Sequence, residues 1–88
     1  MDSLAVEHDQ VAIASYYAQQ ARTMREKALE LRDTASLYRE IFGSDSQEVK
    51  SALMLAEFYE SVAAHRAKEA NLHLEAAGHL DQAERIPD

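Results

Sequence analysis

Alanine returns every seven residues along this chain, at positions 14, 21, 28 and 35 and again at 56, 63, 70 and 77. A seven-residue repeat keeps one stripe of a helix turned toward one neighbour. Tyr17, Met24, Leu31 and Tyr38 fall three places after the first four alanines, giving a 3-4 spacing that runs on to Phe42. The residue numbers of facing pairs share one total: 14 with 77, 21 with 70, 28 with 63 and 35 with 56 all give 91, as does Phe42 with Val49. An antiparallel hairpin therefore stacks alanine on alanine in successive layers. The expected fold is all-α, a two-helix hairpin of the alanine-rich coiled-coil type.

The punctuation agrees with the periodicity. The only two glycines are Gly43 and Gly78, and the one proline is Pro87. In Phe42-Gly43-Ser44-Asp45-Ser46-Gln47-Glu48, the glycine suits the left-handed residue after a helix end. Asp45 with Glu48 three residues on reads as an N-cap and its capping-box partner. Asp2 or Ser3 can cap the first helix, and the second is expected to fray before Ile86-Pro87. The chain then forms one helical-hairpin domain over residues 1–88, with a helix over about 3–42, a turn at 43–46 and a helix over about 46–85. Each helix is about 60 Å long at 1.5 Å per residue.

Methyl groups at the contact let helix axes approach to the low end of the usual spacing. They also bury little area, and a chain of 88 residues has a small core in any case. More apolar surface must be covered elsewhere. With Ala63 at heptad position a, the second helix also carries apolar residues at g (Leu55, Val62), at e (Leu53, Leu74) and at c (Phe58, Leu72), a face too wide for one neighbour. On the first helix Gln19, Glu26, Asp33 and Glu40 form a solvated row at f, and Arg25, Arg32 and Arg39 a basic row at e. Ile13, Tyr16, Leu37 and Ile41 lie outside its seam. These residues are the expected interface through which two hairpins pair into a four-helix bundle, an isologous pairing being the commonest kind.

Nine Lys and Arg stand against sixteen Asp and Glu, a net charge of -7 that repels nucleic-acid phosphates and anionic lipid. A nucleic-acid partner is not expected. Cysteine is absent, which excludes disulfides and thiolate metal sites. No apolar run approaches the roughly 20 residues that span a bilayer, so membrane insertion is not expected either. The opening MDSLAVEHDQ is polar and acidic where a signal peptide is basic and then apolar.

Three histidines crowd residues 64–79, AHRAKEANLHLEAAGH. A single metal ion needs donors from adjacent turns, and the separations of 8 and 6 between His65, His73 and His79 supply none as a histidine pair. His65 with Glu69, Glu69 with His73 and Glu75 with His79 are i, i+4 pairs, a spacing common in any charged helix. His65 and His79 fall at c, away from the seam, whereas His73 falls at d beside it. The plainer reading packs His73 near Ala18 and Tyr17 with a hydrogen bond to a tyrosine. The sharper one makes His73, helped by Glu69, an axial haem ligand or a transition-metal ligand completed by a second chain, since bundle cores house such sites. His8 reads as a solvated first-turn residue.

Tyr16-Tyr17 and Phe58-Tyr59 are offset by 42, the offset that also superposes IASYYAQQA on LAEFYESVA. Tyr17 and Tyr59 at d read as core aromatics, and Tyr16 and Phe58 as an aromatic patch for a partner. Met24 reads as core filler, and Arg39 is placed to reach Glu60 across the hairpin. No Ser/His/Asp set, phosphate-cradling glycine loop or pair of buried carboxylates can be singled out, so no enzymatic activity is expected.

The stretch from His8 through YYAQQA (16–21), MREKALELR (24–32), Ala35 and Tyr38-Arg39 resembles a group of small exported bacterial helical-hairpin proteins, rich in Ala, Glu and His, of unassigned function. The second half resembles their Tyr, Ala-Ala and late His-x-x-x-Ala pattern, with both His73 and His79 available for the histidine. Where that group leads one to expect a histidine before Arg32, this chain has Leu31. The resemblance implies helical hairpins in the periplasm or outside the cell, with any signal peptide absent from the chain shown, and it implies no mechanism.

The leading expectation is a non-enzymatic interaction module that dimerises or docks as an accessory subunit on a larger protein. The alternatives are a haem- or metal-binding bundle using His73, and a subunit that stacks into a filament or tube.

Overall fold

A computed structural model describes the backbone of residues 3–85 and the side chains of residues 8–78. It contains two helices, α1 (Ser3–Phe42) and α2 (Gln47–Arg85), packed side by side in a rod of 69 × 16 × 13 Å. The chain is an all-α antiparallel hairpin. The caps expected of Asp2 or Ser3, the Glu75 pairing with His79 and the fraying before Ile86-Pro87 lie outside the described residues.

Forty-residue helices form here because glycine and proline are confined to the turn and the far end, while alanine, leucine, glutamate, lysine and arginine, all strong helix formers, make up half of the chain. The seam is the one the heptads specify. Ala14, Ala21, Ala28 and Ala35 of α1 and Ala56, Ala63, Ala70 and Ala77 of α2 are all buried, with Ala52 and Val49 beside them near the turn. Among the described residues, every buried side chain except Val49 is therefore an alanine. The core is a line of methyl groups, and the large side chains lie along its flanks.

Phe42 departs from the expected stripe. It is 53 % exposed although Val49, its numerical partner, is buried, and its ring turns back edge-on to Tyr38 at 5.8 Å. A phenyl ring does not fit between axes that alanine layers hold close, and Phe42 is the last residue of its helix, where turning outward breaks nothing.

The turn is built from two capping devices. Gly43 has φ +94°, and its N–H donates to the Arg39 carbonyl at 3.0 Å, closing α1 with a left-handed cap. Ser46 opens α2: its Oγ accepts from the Val49 N–H at 3.2 Å while its carbonyl accepts from the Lys50 N–H. The N-cap is Ser46 and not the expected Asp45, a shift of one residue that moves Glu48 from the capping-box position to the second residue of the helix, still in the first turn, where its charge complements the helix dipole. A Cβ at residue 43 meets nothing within 4 Å. Gly43→Ala is therefore expected to cost about 1–2 kcal/mol from the left-handed backbone alone, and Gly43→Asn less. Urea midpoints followed by circular dichroism measure both.

No helix among the described residues is long and apolar enough to cross a membrane.

Candidate interaction surface

The seam divides the hairpin into two flanks, and the heptad rows assign residues to each. On the first flank, rows a, b and e border an open groove of about 470 Å³ lined by Arg25, Ala28, Leu29, Glu60, Ala63, Ala64 and Ala67. On the second, rows d, g and c border shallower grooves lined by Leu31, Tyr38, Ala52, Leu55 and Tyr59 among others. The expected interface residues do not all share a flank. Leu53 and Leu74 belong to the row of Glu60 and Ala67 and fall on the first flank, with Leu29. Leu55, Phe58, Val62, Leu72, Tyr16, Leu37 and Ile41 belong to the second. Val62 and Leu53 are half-buried and the other seven are exposed.

The first flank carries the clearest ion pair. Arg32 donates to Glu60 through Nε at 2.8 Å and Nη2 at 2.7 Å, a two-pronged contact across the hairpin. Arg39, the expected partner of Glu60, is the wrong arginine. The layers set residue 32 opposite residue 59, beside Glu60, and Arg32 takes both carboxylate oxygens there. The hydrogen bond from Arg32 holds the Glu60 carboxyl below the ordinary carboxylate range. A carboxyl lowered in the folded state adds stability above its ordinary value of 4.5, and that stability is lost as pH falls through the lower, folded value. Glu60→Gln is thus expected to lower the melting temperature modestly at pH 7 in dilute buffer. The difference from the parent should vanish in acid and shrink in 1 M salt, because both side chains are 43 % exposed.

The second flank is aromatic and shows a repeated arrangement. Tyr16 packs on Tyr17 with centroids 5.6 Å apart, and Phe58 on Tyr59 at 5.5 Å. In each pair the second ring turns toward the seam and is half-buried, while the first is 58 % exposed. Each inner ring also receives a cation from the opposite helix, Arg66 over Tyr17 at 5.6 Å and Lys27 Nζ over Tyr59 at 5.7 Å. Gln20 Nε2 donates to the Tyr16 hydroxyl at 2.7 Å and fixes the outer ring.

His73 lies beside this cluster. Its ring stacks on Tyr17 at 5.6 Å with planes 16° apart, so Tyr17 is wedged between Arg66 and His73, neighbours one heptad apart on α2. The hydrogen bond of His73 is made by Nδ1 with Oε1 of Gln10, and not with a tyrosine as expected. The amide oxygen accepts, so Nδ1 carries the proton in neutral His73 and Nε2 carries the lone pair. Glu69, its expected companion, is turned to Arg66 at 2.9 Å and to His65 at 3.0 Å. Among the described residues no group of three His, Cys, Asp or Glu converges. Gln10 is the residue sequence reasoning missed here, although its position, one heptad before Tyr17, is a signal that could have found it.

No protein-family model, curated protein or solved structure matches this chain.

Proposed function

We propose that this protein is a non-catalytic helical interaction module, a hairpin that presents an apolar, aromatic-marked flank to another protein. The partner is either a second copy, in a four-helix coiled-coil bundle, or a larger protein on which the hairpin sits as an accessory subunit. One observation carries the reading: the large apolar side chains lie outside the seam, and Tyr16, Leu37, Ile41, Leu55, Phe58 and Leu72 on one flank are each about half exposed or more. Large apolar side chains left exposed together on one flank mark an interaction site. Sedimentation velocity across the micromolar range, together with cross-linking in a preparation from the native source, tests it. A hairpin that is fully helical, monomeric at every concentration and cross-linked to nothing would sink the reading.

A second reading, stacking into a filament or tube, is favoured by the apolar residues of the other flank, Leu29 at 63 % and Leu74 at 50 % exposure beside the alanine-floored groove. Use of both flanks generates open assemblies, whereas use of one closes on a dimer. Electron micrographs of concentrated protein separate the two.

A further inference from the structure

We infer that the partner of the aromatic flank is a second copy of this chain, an inference that rests on the interaction-module reading and names its occupant. Two numerical relations meet in this hairpin. Facing residues total 91, and the two helices repeat each other with an offset of 42. Together they require a local twofold axis that crosses the seam near residues 24 and 66 and exchanges Tyr16 with Phe58, Tyr17 with Tyr59 and Ile13 with Leu55. The aromatic pairs follow it, with matching separations of 5.6 and 5.5 Å and equally exposed outer rings, whereas the residues around them keep only the apolar character of each end, Leu72 answering to Glu30. The flank therefore has two apolar ends. One is built around Tyr16 and Leu72, the other around Phe58, Leu37, Ile41 and Leu55, with Tyr16 and Phe58 about 25 Å apart along the rod.

A surface with a twofold axis standing on it fits a partner with the same property, and a second copy has it by construction. Turning a copy about an axis either along the rod or across it lays apolar end on apolar end and middle on middle. The charges allow this. Between the two ends lie Lys27 and Arg66 against Glu30 and Glu69, two of each sign, while Glu26, Asp33 and Glu40 of the acidic excess stand on the solvated row. The middle of the flank thus adds no net charge to the contact, and the acidic excess of the -7 chain stands away from it. Size agrees as well. Residues 13–41 span about 42 Å, which with a width of 16 Å gives a flat area of roughly 700 Å², close to the 800 Å² per partner of a stable interface.

The test uses the full chain. Because it lacks cysteine, Thr23→Cys carries a single spin label at the exposed centre of the flank. In a dimer formed through this flank about either axis the two labels meet within the interface, whereas a dimer formed through the other flank leaves them on opposite outer faces, two hairpin thicknesses or about 20–24 Å apart before the label arms are added. The double variant Tyr16→Glu/Phe58→Glu is expected to weaken dimerisation at least about a hundredfold, whereas Leu29→Glu/Leu74→Glu leaves it within about threefold. The short label distance is read on the intact dimer, so it holds even if the double variant loses helicity along with its partner. A dimer with distant labels, broken by Leu29→Glu/Leu74→Glu, overturns the assignment of the flank and leaves the interaction module standing. A helical monomer at all concentrations overturns self-pairing, and the native-source cross-linking then decides the module reading separately.

Discussion

Ala56→Leu destabilises the hairpin by about 1–3 kcal/mol, the cost of forcing extra methylenes into a layer with no room for them. Ala56 has no exposure at all and faces Ala35 at 1 %. An isobutyl group there pushes the axes apart, because the Ala28–Ala63 layer on one side and the buried Ala52 on the other hold nothing larger than a methyl group that could shrink to accommodate it. The local loss therefore spreads along the seam. Ala64→Leu, one residue outside the buried row and exposed beside the groove, is the control and is expected to stay within about 0.5 kcal/mol of the parent. Urea midpoints at one fixed protein concentration compare the two. Equal midpoints for Ala56→Leu and Ala64→Leu would mean that the alanines do not set the distance between the helices.

Tyr17→Ala is expected to cost about 2 kcal/mol, less than a fully buried aromatic because the ring is only half-buried. It removes the wedge between Arg66 and His73, and with it a stacked contact and a cation over the ring. Tyr17→Phe keeps the ring and most of the stability. Tyr16→Ala, at a site 58 % exposed, is expected to fall within about 0.5 kcal/mol in the isolated hairpin. Nuclear magnetic resonance gives a second readout: the imidazole protons of His73 lose their ring-current shift in Tyr17→Ala and keep it in Tyr17→Phe. A His73 spectrum indifferent to Tyr17→Ala would rule out the stack.

The seam and the turn are legible in the chain because each depends on one residue type at a fixed spacing. An alanine stripe has a single consistent antiparallel pairing about this turn, and Gly43 marks the one backbone angle that other residues resist. What is not legible depends on where a side chain goes once the backbone is set. Whether Asp45 or Ser46 caps α2 is decided by one residue of helix start. That Glu60 meets Arg32 and not Arg39 depends on position along the axis, where residue 32 faces residue 59, and a helical-wheel reading flattens that away. His73 could satisfy its nitrogen with any polar neighbour on α1, and the stacking on Tyr17 aims it at Gln10. The apolar residues of α2 read as one wide face until the seam separates Leu53 and Leu74 from Phe58 and Leu72.

Rows of identical alanines hold two helices near one another without saying which alanine belongs opposite which. Sliding α2 by seven residues, about 10.5 Å, presents the same methyl layers again, like a ratchet whose teeth are all alike. The pawl is elsewhere. It consists of the tight link from Gly43 to Ser46 and the few unlike contacts along the rod, Arg32 with Glu60 and Gln10 with His73. A chain carrying a long flexible insertion at the turn would keep its helices and its seam and lose its registration, populating positions one heptad apart.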